Sequence, residues 1–192
     1  MIIGLSGTQG TGKSTILQAA KAAGFMVDDI SLSRTVQAKL GWDNLSRAQV
    51  SIKNMIQLQI GIAEEMHQRD KKYATSDEIV LVERTPADVW AYTSIWCARN
   101  NVSFESNSWA RDYNEALQVM MKFYACCIIV PQAEEIPFVK DPHRADLDSR
   151  DEVDRIIRQF IHSTSTKQYE MKGVSREDRS KEICDFLKNY EN

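Results

Sequence analysis

The chain has 192 residues, of which 43% are hydrophobic and 27% charged, and 24 Lys and Arg against 27 Asp and Glu leave a formal net charge of −3 at pH 7. That length predicts one domain able to bury a core of its own, and the composition excludes collagen-like, disordered and coiled-coil chains. The charge balance lacks the basic excess that drives tight nonspecific binding to nucleic acid.

In chain order, Met1–Leu5 is a short apolar run ending in Ser-Gly and predicts a buried strand. Thr15–Ala23 predicts a helix with an Ala-rich face, stopped by Gly24, and Phe25–Val27 a second strand ending at Asp28-Asp29. Ser31–Leu40 reads as a helix closed by Gly41. From Ser46 to Lys72, Val50, Met55, Leu58, Ile62 and Met66 form one stripe of a long amphipathic helix. Ile79–Val82 is the clearest strand, and Pro86 suits the first position of a helix running to about Arg99. A helix over Ser108–Tyr124 precedes a fourth buried strand, Cys126–Val130.

Residues 131–149 are polar and charged and are broken by Pro131, Pro137 and Pro142. Val153, Ile156, Ile157, Phe160 and Ile161 mark the inner face of a further helix, and Gln168–Met171 is a weak fifth strand. Ser175 caps the last helix, with Asp178 at the capping-box position. Short apolar strands alternating with helices predict a parallel α/β sheet. The four cysteines form no CxxC pair and read as reduced core residues of a cytoplasmic protein. Neither a signal peptide nor a membrane-spanning segment is expected.

The strongest signal is Gly7-Thr8-Gln9-Gly10-Thr11-Gly12-Lys13-Ser14, which fits GxxxxGK[ST] between a strand and a helix. Glycines let the backbone curl so that successive N–H groups face phosphate oxygens. The following helix aims its positive end at the same anion. Lys13 is expected at the β- and γ-phosphates and Ser14 on Mg²⁺. The nucleotide-binding set is Gly7, Gly10, Thr11, Gly12, Lys13, Ser14 and Thr15. A random chain of this length matches the motif about once in a hundred.

No NKxD guanine-reading motif accompanies the loop, and the third strand ends in Glu83-Arg84, without the Asp-Glu and the helical lid domain of ring ATPases. A carboxylate at that strand end can hold a Mg²⁺-bound water, so Ser14 and Glu83 form the expected metal pair. The adjacent Arg84 can grip a phosphoryl group bidentately. Lys140, Arg144 and Arg150 concentrate cations between the fourth strand and the next helix. Arg150 is expected to join that helix and pair with Asp154 at i+4. His143 reads as a loop residue.

This layout resembles the small P-loop kinases, a group that includes phage deoxynucleoside monophosphate kinases, thymidylate kinases and the ribosylnicotinamide kinase domain. Glu83-Arg84 resembles the ERS motif of deoxynucleoside kinases and the DR motif of thymidylate kinases. The resemblance runs from Ile2 to the terminal helix. It implies a single three-layer α/β domain with a five-strand parallel sheet in the order 2-3-1-4-5, and a lid over about 131–150 whose Arg144 closes on the ATP phosphates. It implies ATP and Mg²⁺ as cofactors and a small nucleotide as acceptor. In that group the segment after the second strand, here Asp28 to Arg34, faces the acceptor, and Gly173 to Arg179 corresponds to the loop bordering adenine. The catalytic set is then Lys13, Glu83, Arg84 and Arg144, and the acceptor set Asp28, Asp29, Arg34, Arg84 and Asp88.

Where many nucleoside kinases place a Glu after the second strand, this chain has Asp28-Asp29. A hydroxyl acceptor would use one of them as general base. A monophosphate is already ionised, needs no base and would be held by Arg34 and Arg84, which the Arg residues favour. The rivals are a kinase for a nucleoside or a hydroxymethylated base within DNA, and an ATP-dependent switch that hydrolyses slowly. Nucleic acid is the less favoured partner, no membrane is implied, and a homodimer through the long helix is a family-level expectation. Trp42, Trp90, Tyr92, Trp96 and Trp109 read as core residues before base-stacking ones.

Overall fold

The computed structural model describes residues 1–44, 48, 51–103, 108–136 and 149–190. Five parallel strands, β1 (Ile2–Ser6), β2 (Met26–Asp28), β3 (Val80–Glu83), β4 (Tyr124–Ile129) and β5 (Lys167–Glu170), pair in the order β2-β3-β1-β4-β5. The expected 2-3-1-4-5 order is therefore the observed one.

The central strands are apolar throughout because both faces of the sheet are covered. Successive side chains go to opposite faces. Ile2, Val80, Val82, Cys127 and Ile129 enter one core, together with α2 (Leu32–Lys39), α3 (Ile52–Ala74), α4 (Pro86–Arg99), α5 (Ser108–Met120) and α6 (Arg150–His162). Ile3, Leu5, Leu81, Cys126 and Ile128 enter the other, with α1 (Lys13–Ala22) and α7 (Arg176–Tyr190).

Several boundaries differ from the expected ones, each for a local reason. The long helix is described from Ile52, where Ser51 accepts from the Asn54 amide as its cap. The helix expected over Ser108–Tyr124 stops at Met120, tightens into a 3₁₀ turn over Met121–Phe123, and yields Tyr124 to β4. Pro86 does start α4, and the Ser175–Asp178 capping box forms, with the Asp178 amide donating to Ser175 Oγ at 3.0 Å. All four cysteines are free thiols. No helix among the described residues is long and apolar enough to cross a membrane.

The helices after β1 and β3 lie on opposite faces, so the chain leaves the sheet in opposite directions around β1. Such a reversal opens a crevice at the carboxyl ends of the strands. Gly7, Asp28, Arg84 and Val130 all stand at those ends.

Candidate functional site

The phosphate loop is built by close approach. A Cβ on Gly7 would lie 2.5 Å from the Val130 carbonyl oxygen, so only glycine lets the loop leave β1 beside β4. Gly12 caps α1 in the left-handed region at φ 84, with no side-chain cap and no acidic residue in the first turn. Gly12 thus offers no side chain to cap α1, and no carboxylate stands in its first turn, an arrangement suited to receiving an anion. Lys13 is only 5% exposed, and its ammonium donates to the carbonyls of Gly7 at 2.6 Å and Thr8 at 2.8 Å. Thr11 Oγ1 donates to the Thr8 carbonyl at 3.1 Å. Ser14 is exposed and Thr15 half-buried.

Glu83 ends β3 opposite Leu5 of β1 and is half-buried. No group of three or more His, Cys, Asp or Glu gathers among the described residues. The donor set, one exposed hydroxyl and one carboxylate, suits Mg²⁺ held largely by phosphate oxygens and water, as that ion prefers.

Behind the loop runs a buried polar chain. Ser6 Oγ lies 2.6 Å from Thr85 Oγ1, and Thr85 and Asp88 form a capping box at the start of α4. Asp88 Oδ2 accepts from the Thr85 amide at 3.0 Å, while Oδ1 accepts from the Gly7 amide at 3.1 Å. Asp88 is thus fully buried with both oxygens engaged. Expected at the acceptor, it instead ties the phosphate loop to the helix after Glu83-Arg84.

Arg84 adopts the left-handed backbone at φ 67, and its amide donates to the Leu5 carbonyl at 2.9 Å. Its guanidinium lies 5.1 Å from the centre of the Tyr92 ring. Burial works against that charge, but Tyr92, Asp88 and Glu83 outweigh it and raise its pKa further, so Arg84 is a permanent cation. Beneath the turn, Arg69 donates to the carbonyls of Glu83 at 2.8 Å and Arg84 at 3.3 Å.

The other expected acceptor residues are dispersed. Asp28 is buried at the end of β2, with Oδ1 accepting from the Ile30 amide at 3.1 Å. Asp29 faces outward and pairs with Lys21 at 3.1 Å. Arg34 is exposed on α2. Arg144, with residues 137–148 of the expected lid, lies outside the described residues. Arg150 does begin α6, where burial lowers its pKa against the charges of Asp151 and Tyr92. Asp154, its expected i+4 partner, is taken up by Arg158 at 2.7 Å. Trp42, Trp90, Tyr92 and Trp109 pack against the core, as expected, while Trp96 is half-buried outside that cluster.

Sequence reasoning missed two buried arginines. Arg69 sits inside the long amphipathic helix, where it reads as a surface charge. Arg179, 1% exposed on α7, donates to the carbonyls of Thr11, of Pro131 at 2.9 Å and of Gly173 at 2.7 Å. It joins the phosphate loop to the end of β4 and to the loop expected beside adenine. The sequence placed it at the end of the segment expected beside adenine, with nothing to show that its side chain is buried.

A family model described as an AAA domain matches residues 2–179. Among curated proteins nothing matches. Solved structures share the fold. Deoxyadenosine kinase from M. mycoides with bound dATP has a TM-score of 0.68 at 16% identity, covering 100% of both chains. NadR in complex with NR has a TM-score of 0.65 at 12% identity, over 98% of this chain and 51% of that one. Shikimate kinase from Aquifex aeolicus vf5 has a TM-score of 0.54 at 15% identity, over 100% and 98%.

Proposed function

We propose that this chain, which belongs to the AAA domain family, is an ATP-dependent kinase that moves the γ-phosphoryl of ATP to a (deoxy)nucleoside monophosphate. The observation that carries the reading is the phosphate loop, with its uncapped helix end and Lys13, set one strand away from Glu83 and the left-handed Arg84. The kinases of the same fold support it.

Lys13 and the amides of Gly10 to Ser14 receive the ATP phosphates, and Ser14 with Glu83 would hold Mg²⁺, which would supply positive charge against the phosphates. An acceptor phosphate oxygen attacks the γ-phosphorus, the bond to the β–γ bridging oxygen breaks, and ADP leaves. Arg84 and Arg144 donate to the equatorial oxygens as charge spreads over them. Arg34 binds the acceptor phosphate from α2. Asp29 pairs with Lys21 on the surface, which leaves Asp28 as the base that a hydroxyl acceptor would use, while Arg34 and Arg84 support an acceptor that needs none.

A second reading, transfer to a nucleoside hydroxyl or to a hydroxymethylated base within DNA, is favoured by the likeness to deoxyadenosine kinase and to NadR with NR. An ATP-consumption screen across nucleosides, all monophosphates and hydroxymethylated DNA tests both. Turnover with a monophosphate supports the first reading, and turnover only with a hydroxyl acceptor the second. Hydrolysis indifferent to every acceptor refutes both in favour of an ATP-dependent switch.

A further inference from the structure

We propose that Arg69, braced by Asp70 and Tyr124, is the positioning residue that holds the Glu83-Arg84 turn in its left-handed form. The proposal rests on the reading that this turn serves phosphoryl transfer.

A residue with a side chain takes a left-handed backbone only where its surroundings enforce it, and such outliers gather at functional sites. Arg84, at φ 67, is one. Its amide is fixed by the Leu5 carbonyl of β1, and its own carbonyl and that of Glu83 are fixed by Arg69. Releasing the two carbonyls would let the peptide rotate to the extended form and carry the guanidinium away from Tyr92.

The brace is itself over-determined. Arg69 Nε donates to Asp70 Oδ1 at 2.9 Å, and Nη2 donates to Tyr124 OH at 2.7 Å. Tyr124 OH donates in turn to Asp70 Oδ2 at 2.7 Å. All three residues are buried. Tyr124 is anchored by the sheet: it begins β4, and its ring presses on Gly4, where an added Cβ would meet it at 2.8 Å. Burial opposes the Arg69 charge, yet Tyr124 and Asp70 outweigh it and keep the guanidinium charged.

A buried ion pair is a poor device for stability, since apolar residues of the same volume serve as well or better. A planar fork of five donors is a good device for fixing several acceptors at once. The fork here spans a carboxylate, a phenol and both carbonyls of the turn. What distinguishes this cluster from ordinary core packing is therefore the geometry it imposes on the strand end that carries Glu83 and Arg84.

The test uses Arg69→Lys, which keeps the charge but loses the fork, and Tyr124→Phe, which removes one hydroxyl. Arg84 ¹³Cα and ¹³Cβ chemical shifts report its backbone form without any acceptor, and they are read beside kcat and calorimetric ATP affinity. In Arg69→Lys the shifts should leave the left-handed range and kcat should fall about 100-fold, as expected for misplaced groups, with ATP affinity nearly unchanged. Tyr124→Phe should move both readouts the same way, with kcat falling about fivefold, one hydrogen bond's worth. A merely structural cluster would lower the melting temperature and leave kcat per folded molecule intact, which overturns the proposal. Left-handed shifts that persist in Arg69→Lys overturn it too, whatever the kinetics. If Arg69→Lys does not fold, Tyr124→Phe decides by the same criteria. If the parent transfers to no acceptor while the shifts still move, the brace stands and the kinase reading falls.

Discussion

Replacing Arg179 by Met probes the strut beneath the phosphate loop. The guanidinium is 1% exposed, and its three acceptors are the backbone carbonyls of Thr11, Pro131 and Gly173. Met fills a similar volume but donates nothing. Each buried acceptor left unpaired costs about 1–3 kcal/mol. The bond to Thr11 is fully buried and those to Pro131 and Gly173 are partly so, so three such losses set an upper bound. Against them stands the relief of no longer burying a charge, visible in the lowered pKa that burial gives this guanidinium and that Glu182 only partly offsets. The net is a loss of about 3–5 kcal/mol, the lower part of the range that three unpaired carbonyls span. For a chain of this size each kcal/mol moves the melting temperature by about 2–4 °C, so a fall of roughly 6–20 °C is expected from circular-dichroism melts. Because Thr11 belongs to the loop, ATP affinity measured by calorimetry should also weaken, by about tenfold, the equivalent of one such contact. Arg179→Lys should fall between, since an ammonium reaches fewer of the three carbonyls. A Met variant that melts within about 2 °C of the parent would show that the carbonyls find other partners, and the strut argument would be refuted.

Lys13→Ala should reduce transfer to less than about a tenth, because such contacts carry several kcal/mol of transition-state stabilisation; a higher residual rate in a steady-state assay removes Lys13 from the mechanism. Gly7→Ala places a Cβ 2.5 Å from the Val130 carbonyl oxygen, and the forced shift of the loop should weaken ATP binding by calorimetry; unchanged affinity would mean the loop moves freely. Arg34→Ala should raise the acceptor KM while leaving the ATP KM unchanged if a monophosphate is the acceptor, whereas Asp28→Asn should lower kcat if it is a hydroxyl. Arg144→Ala should lower kcat by about 100-fold, comparable to losing one transition-state donor, with ATP affinity far less affected; wild-type turnover at saturation would make residues 131–150 a surface loop and not a lid.

The elements that announced themselves in the sequence are those whose pattern is local. The phosphate loop is contiguous, because its glycines and Lys13 act through a backbone curl that neighbouring residues complete. Pro86 and the Ser175–Asp178 box mark helix starts because a cap is settled within four residues. Alternating short apolar strands and helices pointed to a parallel sheet, while its strand order was implied only by the family resemblance that the loop and Glu83-Arg84 supported.

Side-chain partners are another matter, since they depend on which segments the fold brings together. Asp88 read as an acceptor ligand from its place after Glu83-Arg84, yet β1 carries the Gly7 amide to its free oxygen, 81 positions away in the chain. Asp28 and Asp29 are adjacent in sequence, but Asp28 ends β2 and is buried, while Asp29, just past the strand, pairs with Lys21 on the surface. Arg69 and Arg179 look like ordinary helix-surface charges until the ends of β3 and β4 are placed beside them. From the sequence alone, then, come a parallel α/β sheet, a phosphate-binding loop and the strand-end Glu83-Arg84. Tertiary structure decided that Arg69, Asp88 and Arg179 hold that site together, because buried charges are satisfied by carbonyls and amides that no local pattern can assign.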